Sequence, residues 1–172
     1  MSELTPSETT NLDRYGSAAL DWDRARAALS RTTDEVTHFL GTCRPDGTPH
    51  AAGVGAQWID GYLYFTSNPD TRKSRDLAVN PLCTMSVRLP GIDLVLDGSA
   101  ERVIDAETLE RVAAGYRESG WPAQVEGDAL TAPFSAPSAG PPPWHVHRFT
   151  FHTVVGVASE EPFGATRWRF ER

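Results

Sequence analysis

At 172 residues, 40% of them apolar and 23% charged, the chain has material for one hydrophobic core and the composition of an ordinary globular domain. Its formal net charge of -7 excludes capture of nucleic acid or an anionic membrane by bulk charge, so any anion must be held by a local site. No apolar run approaches the roughly 20 residues that span a bilayer, and the first residues, MSELTPSETT, are polar and acidic, unlike a secretory leader. Cys43 and Cys83 stand 40 positions apart and form no CxxC pair. These features predict a cytoplasmic protein with reduced thiols and no nucleic-acid or membrane partner. Of the 16 basic residues 15 are arginine, and Lys73 is the single lysine.

In chain order, residues 1–11 carry no periodic apolar positions and read as a disordered tail, with a single domain over 12–172. Leu12, Tyr15, Ala19, Trp22, Ala25 and Leu29 recur at helical spacing and predict a helix within 12–31. Residues 38–44 predict a strand, Pro45-Asp46-Gly47 a turn, and 48–59 a second strand. Asp60-Gly61 is a hairpin signal, and 62–67 returns as a third strand, completing an antiparallel meander. Residues 72–79 predict a short helix stopped by Asn80-Pro81, 82–88 a fourth strand, and 93–104 a fifth, kinked at Gly98. Asp105 caps a helix over 106–118 that aligns Leu109, Val112, Ala113 and Tyr116 on one face. A Pro-rich loop over 119–143, a sixth strand over 144–158 and a short last one over 166–170 complete the reading. Antiparallel strands with few helices and no βαβ alternation predict a mainly β barrel or sandwich with accessory helices.

The segment that carries chemistry runs from Tyr64 to Arg75. A strand ends in two hydroxyl residues, Thr66 and Ser67, turns through Asn68-Pro69-Asp70-Thr71, and enters a helix that begins Arg72-Lys73-Ser74-Arg75. Free N–H groups at a helix start, hydroxyl donors and full positive charge together make a phosphate cradle. The competing reading is a solvated basic helix face.

This strand–turn–helix unit resembles the cofactor-phosphate segment of the flavin/deazaflavin oxidoreductase split β-barrels, the family related to pyridoxamine 5'-phosphate oxidase. The family pattern falls on Thr66, Ser67, Thr71, Lys73, Leu77, Asn80 and Pro81; Asp76 stands where many relatives have Asn, and Thr71 where some carry Arg. The stretch PDGTPHAAGVGAQWIDGYLYF resembles the family's hairpin, and EPFGATRWRF the ending of its actinobacterial members. Spanning residues 20–170, the resemblance implies a PNPOx-like FMN-binding split barrel with accessory helices. It further implies a homodimer holding its cofactor between subunits and passing hydride to or from a small organic substrate. The ending and the Arg-rich composition favour coenzyme F-420, a deazaflavin, with FMN as the alternative. The implied cofactor-binding set is Val54, Gly55, Ala56, Gln57 and Trp58 along the ring, with Thr66, Ser67, Thr71, Arg72, Lys73 and Ser74 toward the phosphate. Gly55 and Ala56 would let a flat ring approach the backbone.

His145 and His147 share a strand face, which reads as a half-exposed edge; without a third ligand they make no metal site. His38 and His50 read as structural or surface residues. No Ser-His-Asp order, HExxH or nucleophile elbow is present, so no catalytic side chain is assigned, as suits chemistry carried by a cofactor. Trp121, Phe134, Pro141–Pro143 and Trp144 mark the long loop as a lid, a dimer-packing arm or a cover for the barrel end. Three other functions stay open: a flavin- or deazaflavin-binding protein without turnover, a haem-binding barrel, and pyridoxamine 5'-phosphate oxidation itself, for which no substrate-phosphate Arg/His set stands out.

Overall fold

The computed structural model of the protein describes residues 4–32 and 36–171. Its elements are β1 (Glu8–Asn11), α1 (Trp22–Ser30), β2 (His38–Cys43), β3 (Pro49–Val54), β4 (Ala56–Ile59), β5 (Tyr62–Ser67), α2 (Arg72–Val79), β6 (Leu82–Leu89), β7 (Ile92–Val103), α3 (Ala106–Glu118), β8 (Gln124–Glu126), β9 (Ala129–Thr131), β10 (His145–Ala158) and β11 (Ala165–Arg169). The main sheet is antiparallel in the order β1-β11-β10-β7-β6-β2-β3, with β5 also paired to β10 and β4 paired to β5.

The longest strand organises this sheet. One edge of β10 pairs with β7 from Val146↔Val103 to Ala158↔Ile92. Its other edge changes partner: Val146 faces Thr66 of β5, whereas Val154 faces Trp168 of β11. The register slips between Phe151 and Thr153, as a β-bulge does where a strand must bend. Gly98 lies opposite, and a Cβ there would stand 2.1 Å from the Thr150 carbonyl oxygen. A second change of partner occurs at Gly55. Val54 pairs with His38 on β2, and Ala56 with Phe65 on β5. These two switches leave the sheet split rather than closed, the PNPOx-like split barrel that the sequence predicts.

Two cores form. In the larger, Trp22, Ala25 and Leu29 of α1 pack into the barrel, with the Trp22 ring edge-on to Trp168 (5.5 Å) and Phe170 (4.7 Å). In the smaller, Leu109, Val112, Ala113 and Tyr116 of α3 meet Tyr64, Val103 and Val146. β5 therefore sends Leu63 and Phe65 into one core and Tyr64 into the other. Burial on both faces explains why the run YLYF is apolar without alternation.

The structure corrects several expectations. Residues 8–11 of the expected disordered tail form β1, paired with β11 from Glu8↔Arg169 to Asn11↔Thr166; residues 1–3 lie outside the described residues. An edge strand needs only its backbone bonds, so polar side chains do not forbid it. The helix expected within 12–31 is confined to α1. Asp13 accepts from the N–H groups of Tyr15 and Ser17, and these local side-chain bonds compete with helix. Asp21 caps the helix that follows, and Leu12 and Tyr15 stay exposed. The strand expected over 48–59 is divided at Gly55, and the loop over 119–143 contains the hairpin β8–β9. Asp60 and Gly61 carry φ of 52° and 83°, as a type I′ turn demands.

Replacing Gly98 by Ala drives a Cβ into backbone that has no room to move. We expect a loss of about 2–3 kcal/mol, a fall in Tm of roughly 5–10 °C. Gly55→Ala, whose Cβ meets nothing within 4 Å, leaves Tm unchanged in the same thermal melts.

Candidate functional site

The partner switch at Gly55 opens one side of the barrel, and a cavity of about 800 Å³ lies there. Val54, Gly55, Ala56, Gln57 and Trp58 line one wall. Thr66, Ser67 and Lys73 line a polar end, and Gly115, Tyr116 and Trp121 from α3 and its exit form the facing wall. Phe134, Ser135, Ala136, Ser138 and Ala139 complete the enclosure. Its volume is in the upper part of the range of ligand pockets, about 300–1,000 Å³.

The polar end is built by the β5–α2 turn. Thr71 caps α2, its hydroxyl accepting from the Ser74 N–H. The hydroxyls of Ser67, Thr71 and Ser74 form a closed triangle at 2.7 to 3.1 Å. Lys73 is the one cationic side chain lining the cavity among the described residues. Its ammonium is half-buried, burial lowers its pKa from the usual lysine value, and no described carboxylate pairs with it. A cation short of both water and counter-ion favours an arriving anion. Arg72 turns away to the buried Asp76 (3.6 Å), whose other oxygen accepts from the Thr42 hydroxyl (2.9 Å). The acidic residue at 76 thus stitches α2 to β2.

Tyr116 joins the two halves of the site. Its hydroxyl donates to the Gly55 carbonyl (3.2 Å) and also bonds Thr66, while burial raises its pKa from the usual tyrosine value. It therefore stays protonated at neutral pH as a fixed donor. Both amide atoms of Gln57 are buried without a partner against Gly115, where a Cβ would come 2.4 Å from Oε1. Trp58 stacks on Phe151 (6.0 Å, 23°), so much of its ring serves the core.

Of the residues singled out in the sequence, Val54 to Trp58, Thr66, Ser67 and Lys73 line one cavity. Thr71 and Ser74 stand directly behind them in the hydroxyl triangle, and Arg72 is committed to Asp76. Sequence reasoning missed the wall from α3. Gly115, a glycine inside a helical pattern, was the available signal; Tyr116 shared the apolar face and read only as core. Trp121 and Phe134 belong to the loop that the sequence offers as a lid, an arm or a barrel cover, whereas nothing in residues 135–139 themselves marks them as cavity wall. Among the described residues, no group of three or more His, Cys, Asp or Glu side chains is placed to hold a metal ion, and no helix is long and apolar enough to cross a membrane.

His147 differs from expectation, whereas His38 is structural, one of the two readings the sequence left open. β10 is interior, so His147 is not on a half-exposed edge: it is buried and stacked on Phe65 (5.1 Å, 9°). Burial, with the charges of His145, Arg102 and Lys73 nearby, pulls its pKa down to about 4. His38 is fully buried at the start of β2, with the same result by burial.

Residues 23–158 match the family described as Pyridoxamine 5'-phosphate oxidase. The chain belongs to that family. A curated member, the pyridoxine/pyridoxamine 5'-phosphate oxidase of Anaeromyxobacter dehalogenans, is 31% identical over 99 residues, 55% of this chain and 50% of the relative. The chain thus spans about half the length of the curated relative it matches. Among solved structures, a pyridoxamine 5'-phosphate oxidase-related, FMN-binding protein of Nostoc punctiforme aligns with a TM-score of 0.57 at 18% identity, covering 91% of this chain and 93% of that one. A protein described as an F420 reductase aligns at 0.53 and 22% identity, covering 75% and 94%. A haem-binding protein of Mycobacterium smegmatis aligns at 0.56 and 16% identity, covering 80% and 54%. At these identities the three establish the fold alone.

This family member carries a pH dependence in its buried imidazoles. In the folded state His38 and His147 titrate near 4, against 6.5 ordinarily. As pH falls below 6.5 the unfolded chain takes up protons that the folded chain refuses. Stability is full above that pH and falls toward 4, by at most about 3 kcal/mol for each residue. Urea melts at about pH 7.5 and about pH 5 should differ accordingly, and His147→Gln should flatten the difference.

Proposed function

We propose that the chain is an oxidoreductase that binds a phosphorylated flavin-type cofactor in the Gly55–Lys73 cavity and moves hydride to or from a small organic substrate. The observation that carries this reading is the union, in one cavity, of an anion cradle with a strand wall opened by a glycine. Lys73, Thr66 and Ser67 hold the phosphate by charge and hydrogen bonds. The backbone of residues 54–58 lies along the ring, where the unobstructed side of Gly55 admits a flat surface. Tyr116 fixes the distance between these two parts through Gly55 and Thr66. Trp121, edge-on to Tyr116, covers part of the far wall. When bound, the cofactor supplies the hydride chemistry, and the protein orients it and sets its electrostatics. The GATRWRF ending, with its actinobacterial likeness, and the similarity to an F420 reductase favour coenzyme F-420, with FMN as the alternative.

Lys73→Ala should weaken FMN or F-420 binding by about ten- to hundred-fold, the worth of one charge-assisted contact of about 1.5–3 kcal/mol. Its Tm should not change, and riboflavin, which lacks the phosphate, should bind both proteins alike. Fluorescence titration with all three ligands checks this, and equal affinity of variant and wild type for both phosphorylated ligands removes Lys73 from the site.

We also propose that the protein is a homodimer. Phe39, Leu82, Val95 and Val157 project from one outer face of β2, β6, β7 and β10, all markedly exposed. Apolar area of this kind on a sheet face is covered in most soluble assemblies. Light scattering at micromolar concentration should give twice 18.8 kDa; a monomer counts against the proposal.

A further inference from the structure

Residues 134–141 form a strap over the cavity, tied down at both ends. At one end the Trp121 indole N–H donates to the Phe134 carbonyl (2.5 Å). At the other, the Trp144 indole donates to the Gly140 carbonyl (3.3 Å) and the Asn68 amide to the Pro141 carbonyl (2.6 Å). Asn68 differs from the two tryptophans because it belongs to the anion cradle. Its side-chain oxygen accepts from the Asp70 N–H (2.8 Å), which shapes the turn into α2. Its backbone carbonyl accepts from the Thr71 N–H (3.1 Å) and lies within reach of the Thr71 hydroxyl (2.9 Å) and the Ser67 hydroxyl (3.4 Å), whose single protons it shares with the triangle. Asn68 is buried, and Gly140, at φ 74°, lies flat on it: a Cβ at 140 would stand 3.3 Å from the Asn68 Cγ.

We propose that Asn68 is a positioning residue that couples the cradle to the strap, so that an anion on Lys73, Thr66 and Ser67 holds the cavity wall in place. The Ser67 and Thr71 hydroxyls bonded to the Asn68 backbone are those an anion recruits or stands against. Fixing them fixes the turn, the turn fixes the carboxamide, and the carboxamide fixes Pro141. Coupling between two sites is reciprocal, so the strap in turn slows loss of whatever the cradle holds. This rests on the anion cradle of the proposed function but not on the identity of the cofactor.

The test is hydrogen exchange on the full chain, with inorganic phosphate and separately with FMN, followed at segments 66–76 and 134–140. In the wild type, phosphate alone should slow exchange in both segments. Asn68→Asp keeps the acceptor for the Asp70 N–H and loses the donor to Pro141. Gly140→Ala lifts the strap from Asn68 without adding charge. Both variants should keep slowed exchange at 66–76, lose it at 134–140, and release FMN about tenfold faster in stopped-flow fluorescence. A merely structural Asn68 would instead lower Tm and leave FMN release unchanged. Phosphate that slows exchange at 66–76 but not at 134–140 in the wild type overturns the coupling, as does phosphate without effect on either segment. Should both segments respond to phosphate while neither FMN nor F-420 binds, the coupling stands and the cofactor assignment falls. The wild-type result decides the matter even where a variant fails to fold.

Discussion

The rest of the structure depends on the free edge of β10 being shared between two strands. β7 occupies the opposite edge along its whole length, so the only freedom left is which strand lies on the other side and where it stops. β5 takes the first part and β11 the last, with the register slip at Phe151 between them. Because β5 departs, it can carry β4 with it and lie between two cores. Because β4 follows β5 while β3 stays with β2, the chain must part at Gly55. The cavity is the space that this parting leaves, and its walls are whatever α3 and the strap place across it.

That dependence explains what could be read from the sequence. Asp60-Gly61 was legible because two residue types determine two backbone angles with no help from elsewhere. The strand–turn–helix unit at the cavity's polar end was legible because strand end, hydroxyls, helix cap and Lys73 lie within a few consecutive residues. Gly98 showed as a kink, although its reason, the Thr150 carbonyl crowding its missing side chain, belongs to a strand far along the chain. The partner change at Gly55 was not legible: residues 48–59 are plausible as one strand, and only the competing claims of β2 and β5 divide them. The N-terminal strand was hidden for the opposite reason. Its side chains contribute almost nothing to holding it, and its backbone does the binding, so no pattern of apolar residues records it.

The electrostatics of the site follow from how few charges reach it. The chain carries an excess of acidic groups, yet Lys73 is half-buried with no described carboxylate paired to it, Glu118 being the one described carboxylate that lines the same cavity, while its neighbour Arg72 is neutralised by Asp76. Adjacent cations thus have opposite fates, one paired within the fold and one turned to the cavity. The same shortage of water lowers the pKa of His147 and raises that of Tyr116, and leaves both neutral. Around the cradle the charges are thus few: the mutually paired Arg72 and Asp76, Lys73, and Glu118 on the cavity lining.

The hydroxyl triangle of Ser67, Thr71 and Ser74 has a thermal consequence. These three groups hold one another, so under the proposed anion binding they need shed few waters. Hydroxyl–hydroxyl bonds are exchanged for hydroxyl–oxyanion bonds, which are shorter and stronger, and little solvent is set free. The heat released on binding should therefore dominate over entropy gained from released water at this end of the cavity, while the apolar end contributes mainly to the heat-capacity change. A molecule offering only its ring and one offering only its phosphate would then show different calorimetric signatures in the same cavity.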